Sequence, residues 1–295
     1  MKSHRTLALV SLIALMVMWG STFVVTKAAA RDFPPMVLAT LRFLIAALVL
    51  VPLALSRGGL QQLPQPRPWR TLLLMSFVGI AAFATTFTYA LVYGSASQGA
   101  LIYAALPAAI AFAAIVFLGE RPSRRQLAGI ALSIAGVALL IVAGEADAGS
   151  PDPVAGALWM IGAVVAWTAY TVFAKRLAHV DNIVVIAIIS TLGTAMLLPF
   201  AAIELLQTDW TVPSVSAWTA PLFLGIVASA LAYIVYGYVL RELDTSVVGT
   251  YTNLDPIVGV LIAVLLFGES LHAGQIVGGL IALAGMWLAS IEERP

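Results

Sequence analysis

Ten predominantly apolar stretches of about twenty residues follow one another, at 7–28, 36–55, 71–93, 98–118, 126–143, 154–174, 183–205, 218–240, 246–267 and 275–290. A helix of that length spans the hydrocarbon core of a bilayer. Lipid offers no partners to backbone N–H and C=O groups, so each stretch must satisfy them internally, as a helix. The chain is 61% hydrophobic and 10% charged, against about 25% charged in soluble domains, so lipid is its main solvent. The first stretch follows Lys2 and Arg5 and ends at Ala28-Ala29-Ala30, as a cleaved leader would. Its apolar run nevertheless exceeds the roughly 7–15 residues of a signal peptide. The expectation is an all-α integral membrane protein with ten transmembrane helices.

The connecting loops are short, the longest being a Gly/Pro-rich connector from Arg57 to Arg70 that cannot bury a core of its own. Whatever the protein binds is therefore expected to bind within the membrane. There is no cysteine, and His4, His179 and His272 lie far apart with no H-x-x-x-H pair, which argues against a metal site. Net charge is +1 and the basic residues are scattered, so no nucleic-acid partner is expected. No G-x-x-x-x-G-K-[ST] motif occurs, so ATP does not drive the protein from within this chain. A membrane enzyme would need a nucleophile–base pair, a metal set or a carboxylate dyad at one depth, and Asp255 alone is available. No cofactor is expected; the partners are the bilayer and a small solute.

Lysine and arginine are distributed unevenly when the helices are threaded in alternation. Lys2, Arg5, Arg57, Arg67, Arg70, Arg121, Arg124, Arg125, Lys175, Arg176, Arg241 and Arg294 fall on the side of the N-terminus. Only Lys27 and Arg31 fall on the other, with Arg42 inside a helix. Loops rich in Lys and Arg stay in the cytoplasm, so both termini are expected there, in a multi-pass protein of a bacterial inner membrane.

The chain also repeats itself. Pro107, Gly119, Glu120, Gln126, Gly129 and Gly136 recur 149 positions later as Pro256, Gly268, Glu269, Gln275, Gly278 and Gly285, and an offset of 148 relates Trp19 to Trp167 and Lys27 to Lys175. The halves are 1–144 and 153–295, with five helices each. An odd number of crossings makes the second copy enter from the opposite side, so the two are inverted repeats. The turn Gly-Glu-Arg-Pro-Ser-Arg-Arg-Gln in the first copy becomes Gly-Glu-Ser-Leu-His-Ala-Gly-Gln in the second, losing every arginine as inversion requires. Two similar halves that pack in either of two ways provide outward-open and inward-open states, the architecture of a secondary transporter. A passive channel would instead favour rings of like charge or carbonyls along a symmetric pore.

Trp19-Gly20-Ser21-Thr22-Phe23 with Lys27, Arg42-Phe43, Pro107 followed by Gly119-Glu120-Arg121, the pair Gly129/Gly136, Asp255-Pro256, Gly268-Glu269 and Gly278/Gly285 form an ordered, duplicated set. By these residues the chain resembles the EamA-type permeases of the drug/metabolite transporter superfamily over nearly its whole length. The resemblance implies a central cavity lined chiefly by helices 1, 3, 4, 6, 8 and 9. It also implies an exporter or permease for amino acids, drugs or other metabolites, read here as an amino-acid or metabolite exporter; Asp255 alone motivates the alternative, proton-coupled efflux of organic cations.

Candidate site residues follow from depth and spacing. Asp255 lies near the bilayer midplane, where an ionised acid costs about 2.5–3.5 kcal/mol. It is read as a substrate-amine or proton site, the alternative being an acid that satisfies backbone freed by Pro256. Pro107 and Pro256 interrupt helices four and nine at equivalent depth, the pairing that marks a binding site in such folds. Trp19, Thr22 and Phe23 share a helix face, as do Trp167, Tyr170 and Thr171, and these faces either line the cavity or pack. Tyr89, Tyr103, Tyr251 and Asn253 are further candidates to line the site, while Tyr233 and Tyr236 are left open between lining and packing. Arg42 either snorkels or bonds between helices, or else is a counter-charge to Asp255 or to a substrate carboxylate. Lys27 and Lys175 are read as anchors at helix C-termini, and Glu120 and Glu269 as caps for the helix that follows each. Gly129, Ser133 and Gly136, matched by Gly278, Ala282 and Gly285, form a small-residue stripe suited to close packing or to a homodimer.

Overall fold

The computed structural model describes residues 2–118, 123–143, 150–177, 179–243, 248, 251 and 253–290. Every regular element among them is helical. Eight helices are long and apolar enough to cross a membrane: α1 (Lys2–Ala29, apolar from Thr6), α2 (Pro35–Ser56), α3 (Trp69–Tyr93), α4 (Ala96–Phe117), α5 (Arg124–Val142), α6 (Pro153–Leu177), α7 (Asn182–Gln207) and α8 (Val215–Leu240). Two shorter apolar helices, α9 (Leu254–Phe267) and α10 (Ala273–Ser290), complete the bundle.

Local sequence explains where most helices begin. Ser123 and Gln126 form a reciprocal capping box at α5. Asp152 accepts from Ala155 ahead of Pro153 at α6, and Asp181 accepts from Ile183 at α7. Three further termini are satisfied by side chains from distant parts of the chain. The residue before α2 is Pro34, which has no side-chain acceptor, and Glu204 of α7 accepts instead from Met36 N (2.8 Å) and Val37 N (3.1 Å). Glu269 accepts from Ala96 N, Ser97 N and the Ser97 hydroxyl, so it caps α4 and not the helix that follows it. Lys27, in the last turn of α1, donates to Leu91 O and Gly94 O, which also closes the C-terminus of α3. Its counterpart Lys175 lies exposed in a 3-10 turn. Glu120 lies outside the described residues.

Three helices depart from regular α-helix, and the π-helical departures were not expected from the sequence. Helices α3 and α8 each contain a π-helical stretch, Phe77–Ala82 and Phe223–Leu231, and each stretch opens on Phe-x-Gly-Ile. Helix α4 is interrupted after Tyr103 and resumes at Leu106, because Pro107 has no N–H to return to Tyr103 O. Helix α9 runs from Leu254, two residues before Pro256, with Asn253 in a turn immediately ahead of it.

Packing pairs the halves. Helix α5 lies on α10, α2 on α7, α3 on α6, α4 on α9 and α6, and α1 on α8 and α9. At the α5–α10 crossing a Cβ on Gly129 would strike Ala289 N, one on Gly136 would strike Ala282 N, and one on Gly285 would strike Ser133 N. The small-residue stripe is thus spent inside the chain, and no dimer is needed to explain it. Contacts between helix ends keep to one end of the bundle or the other. Segments near residues 27–36, 91–97, 152, 204–210 and 269 meet at one end, and the ion pair Arg57–Asp181 (3.0 Å) lies at the other.

Candidate functional site

The helix interruptions bring the deep polar residues together. Tyr103, the last residue before the break in α4, is buried among Phe23 of α1 and Phe83 and Phe87 of α3, at ring-centroid distances of 5.6, 6.5 and 6.4 Å. Its hydroxyl is within electrostatic range of Asp255, Tyr233 and Arg42, residues drawn from α9, α8 and α2. Asp255 sits in the first turn of α9, 9% exposed, and its Oδ1 is sealed from solvent with no hydrogen-bond partner. The adjacent backbone is held close, since a Cβ on Gly20 of α1 would come 2.9 Å from Asp255 O and 2.8 Å from the Val258 side chain.

Arg42 does not snorkel. Its Nε donates to the hydroxyl of Ser229 (3.0 Å), a fully buried residue in the π-helical stretch of α8. Its guanidinium lies 5.2 Å from the Phe43 ring centroid and within electrostatic range of Tyr233 and Tyr103. No ion pair joins Arg42 to Asp255 among the described residues; the two charges stand on separate helices, both within electrostatic range of Tyr103.

Two aromatic walls flank this centre. Trp19 meets Tyr233 and Tyr236 of α8 at 6.5 and 5.5 Å. Trp167 meets Phe83 of α3 and Tyr170 of its own helix at 4.9 Å each. Each tryptophan therefore faces the third helix of the opposite half, as the offset of 148 between them suggests. Arg42, Tyr170 and Tyr236 are deep yet part-accessible, and Trp19 and Trp167 are part-accessible as well. Pro107 is also part-accessible, whereas Pro256 is buried.

Other expected residues lie elsewhere or are spent on the backbone. The Thr22 hydroxyl donates to Trp19 O (2.6 Å) in its own helix. Tyr89 stacks on Tyr93 and Trp159 and approaches Glu204 Oε1 at 3.5 Å, near the end of α3, and does not join the central cluster. Tyr251 packs in a cluster formed by the first half of α1 and the second half of α8. Asn253 is buried at the α9 break, and Thr252 lies outside the described residues. Sequence reasoning missed Ser229, Phe83, Phe87 and Glu204. The signal for the two phenylalanines was their i, i+4 spacing on α3, and for Glu204 it was a lone carboxylate near the end of an apolar helix. No group of three or more His, Cys, Asp or Glu capable of holding a metal occurs among the described residues.

The model of the EamA-like transporter family matches the chain twice, over residues 6–142 and 154–291. The chain belongs to the EamA-like transporter family. As an EamA protein it is a multi-pass membrane protein of the transporter class. It is 30% identical to a protein of Salmonella typhimurium named as a probable amino-acid metabolite efflux pump, over 93% of this chain and 91% of the other. It is 27% identical to a protein of Streptantibioticus cattleyicolor named as a probable terminal-alkyne amino-acid exporter, over 94% and 91%. A crystal structure at 25% identity has the same fold, with a TM-score of 0.66 over 96% of this chain and 95% of that one.

Proposed function

We propose that this EamA protein is a secondary transporter that exports amino acids or related small metabolites by alternating access. The observation that carries the reading is the central cluster: Tyr103 and Asp255, beside the turn in α4 and the start of α9, within electrostatic range of Arg42 and Tyr233 and flanked by Trp19 and Trp167. The breaks in α4 and α9 lie 149 residues apart in sequence, and paired interruptions of this kind form substrate sites at the midplane of inverted-repeat carriers. The names of the Salmonella and Streptantibioticus relatives support an amino-acid substrate.

In this reading α1–α5 and α6–α10 are inverted repeats with boundaries at 1–144 and 153–295, giving ten membrane crossings. Support comes from the twofold family match, the reciprocal packing of α3 on α6 and of α1 on α8, and helix-end contacts that never mix the two ends. The Lys/Arg asymmetry puts both termini in the cytoplasm of a bacterial inner membrane. The halves rock about the cluster and expose it to one side at a time, with the substrate gradient or an ion gradient as the drive.

A second reading rests on Asp255 Oδ1, which is sealed and unpaired and would suit a proton-coupled antiporter for organic cations. Purified protein in liposomes separates the two. Flux of labelled amino acids that persists without a pH gradient supports the exporter; cation flux that requires a pH gradient, with no amino-acid flux, replaces it with the antiporter.

A further inference from the structure

Arg42 is the one arginine or lysine placed deep between helices among the described residues, and Asp255 is the one acid at that depth. An arginine keeps its charge in a protein, and a buried ion without a partner costs several kcal/mol. Arg42 has spent only Nε, on Ser229. Its two terminal nitrogens have no hydrogen-bond acceptor among the described residues, and they are not among the sealed unpaired atoms. Asp255 Oδ2 likewise has no donor and is not sealed, while Oδ1 is orphaned. The two poles do not pair with each other, yet both lie within electrostatic range of Tyr103, whose hydroxyl has no hydrogen-bond partner among the described residues.

We propose that Arg42 and Asp255 are the two poles of a zwitterion site, Arg42 taking the carboxylate and Asp255 the ammonium of one α-amino acid placed beside Tyr103. This rests on the transporter reading and deepens it. The guanidinium presents Nη1 and Nη2 as a fork for a carboxylate, and Tyr233, on the same side of the cluster, supplies a further hydroxyl. The ammonium end meets the carboxylate at the start of α9 and the Tyr103 hydroxyl. The walls built on Trp19 and Trp167 leave the side chain an apolar, aromatic surround, which tolerates variation in size more than it rewards one shape. Selection therefore acts on the backbone of the ligand. A zwitterion satisfies both buried charges and adds no net charge to the membrane interior, whereas a cation leaves Arg42 unmatched and an anion leaves Asp255 unmatched.

The test is equilibrium binding to the full-length protein in nanodiscs, with labelled L-leucine, L-phenylalanine and L-threonine as probes. Their methyl esters, which keep only the ammonium, and their N-acetyl derivatives, which keep only the carboxylate, serve as competitors. At least one amino acid is expected to bind, with its ester and N-acetyl forms weaker by roughly 10- to 100-fold, the scale of one charge-assisted hydrogen bond. Arg42→Gln is expected to abolish the discrimination against the ester alone, and Asp255→Asn that against the N-acetyl form alone. The inference is overturned if capped forms compete as well as the parent, or if none of the three amino acids binds; these readouts use the unaltered protein and survive a variant that fails to fold. Flux of some other solute without amino-acid binding would sink the zwitterion site and spare the transporter. Charge-selective binding without flux of any solute would do the reverse.

Discussion

At the scale of the residue, the account turns on charges whose partners come from other helices. Ser229 is the acceptor that fixes Arg42, and Ser229→Ala is expected to raise the half-saturating substrate concentration about tenfold, the loss of one hydrogen bond to a charged group. Liposome flux measured over a concentration series checks this, and an unchanged half-saturation would remove Arg42 orientation from the mechanism. Asp255 and Arg42 stood out in the sequence because a charge in the middle of an apolar run is costly wherever it points. Ser229 did not stand out, because a serine among alanines carries no cost that sequence can register. Glu269 was legible as a cap, but its target was not: reaching α4 from the loop before α10 depends on tertiary placement.

At the scale of the element, the glycines and prolines divide into different physical roles. Gly136 is required by space, since any side chain there meets the backbone of α10. Gly268 is required by conformation, with φ +67° and no atom within 4 Å of where a Cβ would sit. Gly136→Leu is therefore expected to destabilise by about 3 kcal/mol or more, as overpacking does, and Gly268→Ala by about 1–2 kcal/mol, the left-handed penalty. Thermal unfolding in one detergent compares them; equal losses would contradict the distinction. Pro107→Ala and Pro256→Ala restore the missing N–H, so the melting temperature is expected to hold or rise while initial flux falls about tenfold, or 1.4 kcal/mol on the barrier. Variants that transport normally would reduce both prolines to packing features. The prolines and the small-residue stripe were visible as a duplicated pattern. The π-helical stretches in α3 and α8 were not, since their Phe-x-Gly-Ile openings fit an ordinary helix equally well.

At the scale of the molecule, the length and apolar character of the segments and the internal repeat made the helical membrane architecture readable from sequence. The meeting of α2, α4, α8 and α9 at one tyrosine was not, because it depends on which faces of the helices turn inward. Tyr89 shows the limit: it satisfies the criteria of depth and polarity, yet it stacks on Tyr93 and Trp159 near the end of α3. The chain contains no cysteine, so the native protein is already a background for single-cysteine chemistry. A cysteine placed at Arg67 is expected to react with an impermeant maleimide only from the cytoplasmic side, and one at Val212 only from the outside; the opposite result would invert the proposed orientation. Alternating access is put to the test by liposome flux in a protein carrying cysteines at Arg57 and Asp181, which face each other across the two halves at 3.0 Å, before and after bridging by a short bis-maleimide. Alternating access predicts that amino-acid flux falls to background once the halves are tied and is unaffected in either single-cysteine protein; undiminished flux through the tied protein would contradict it.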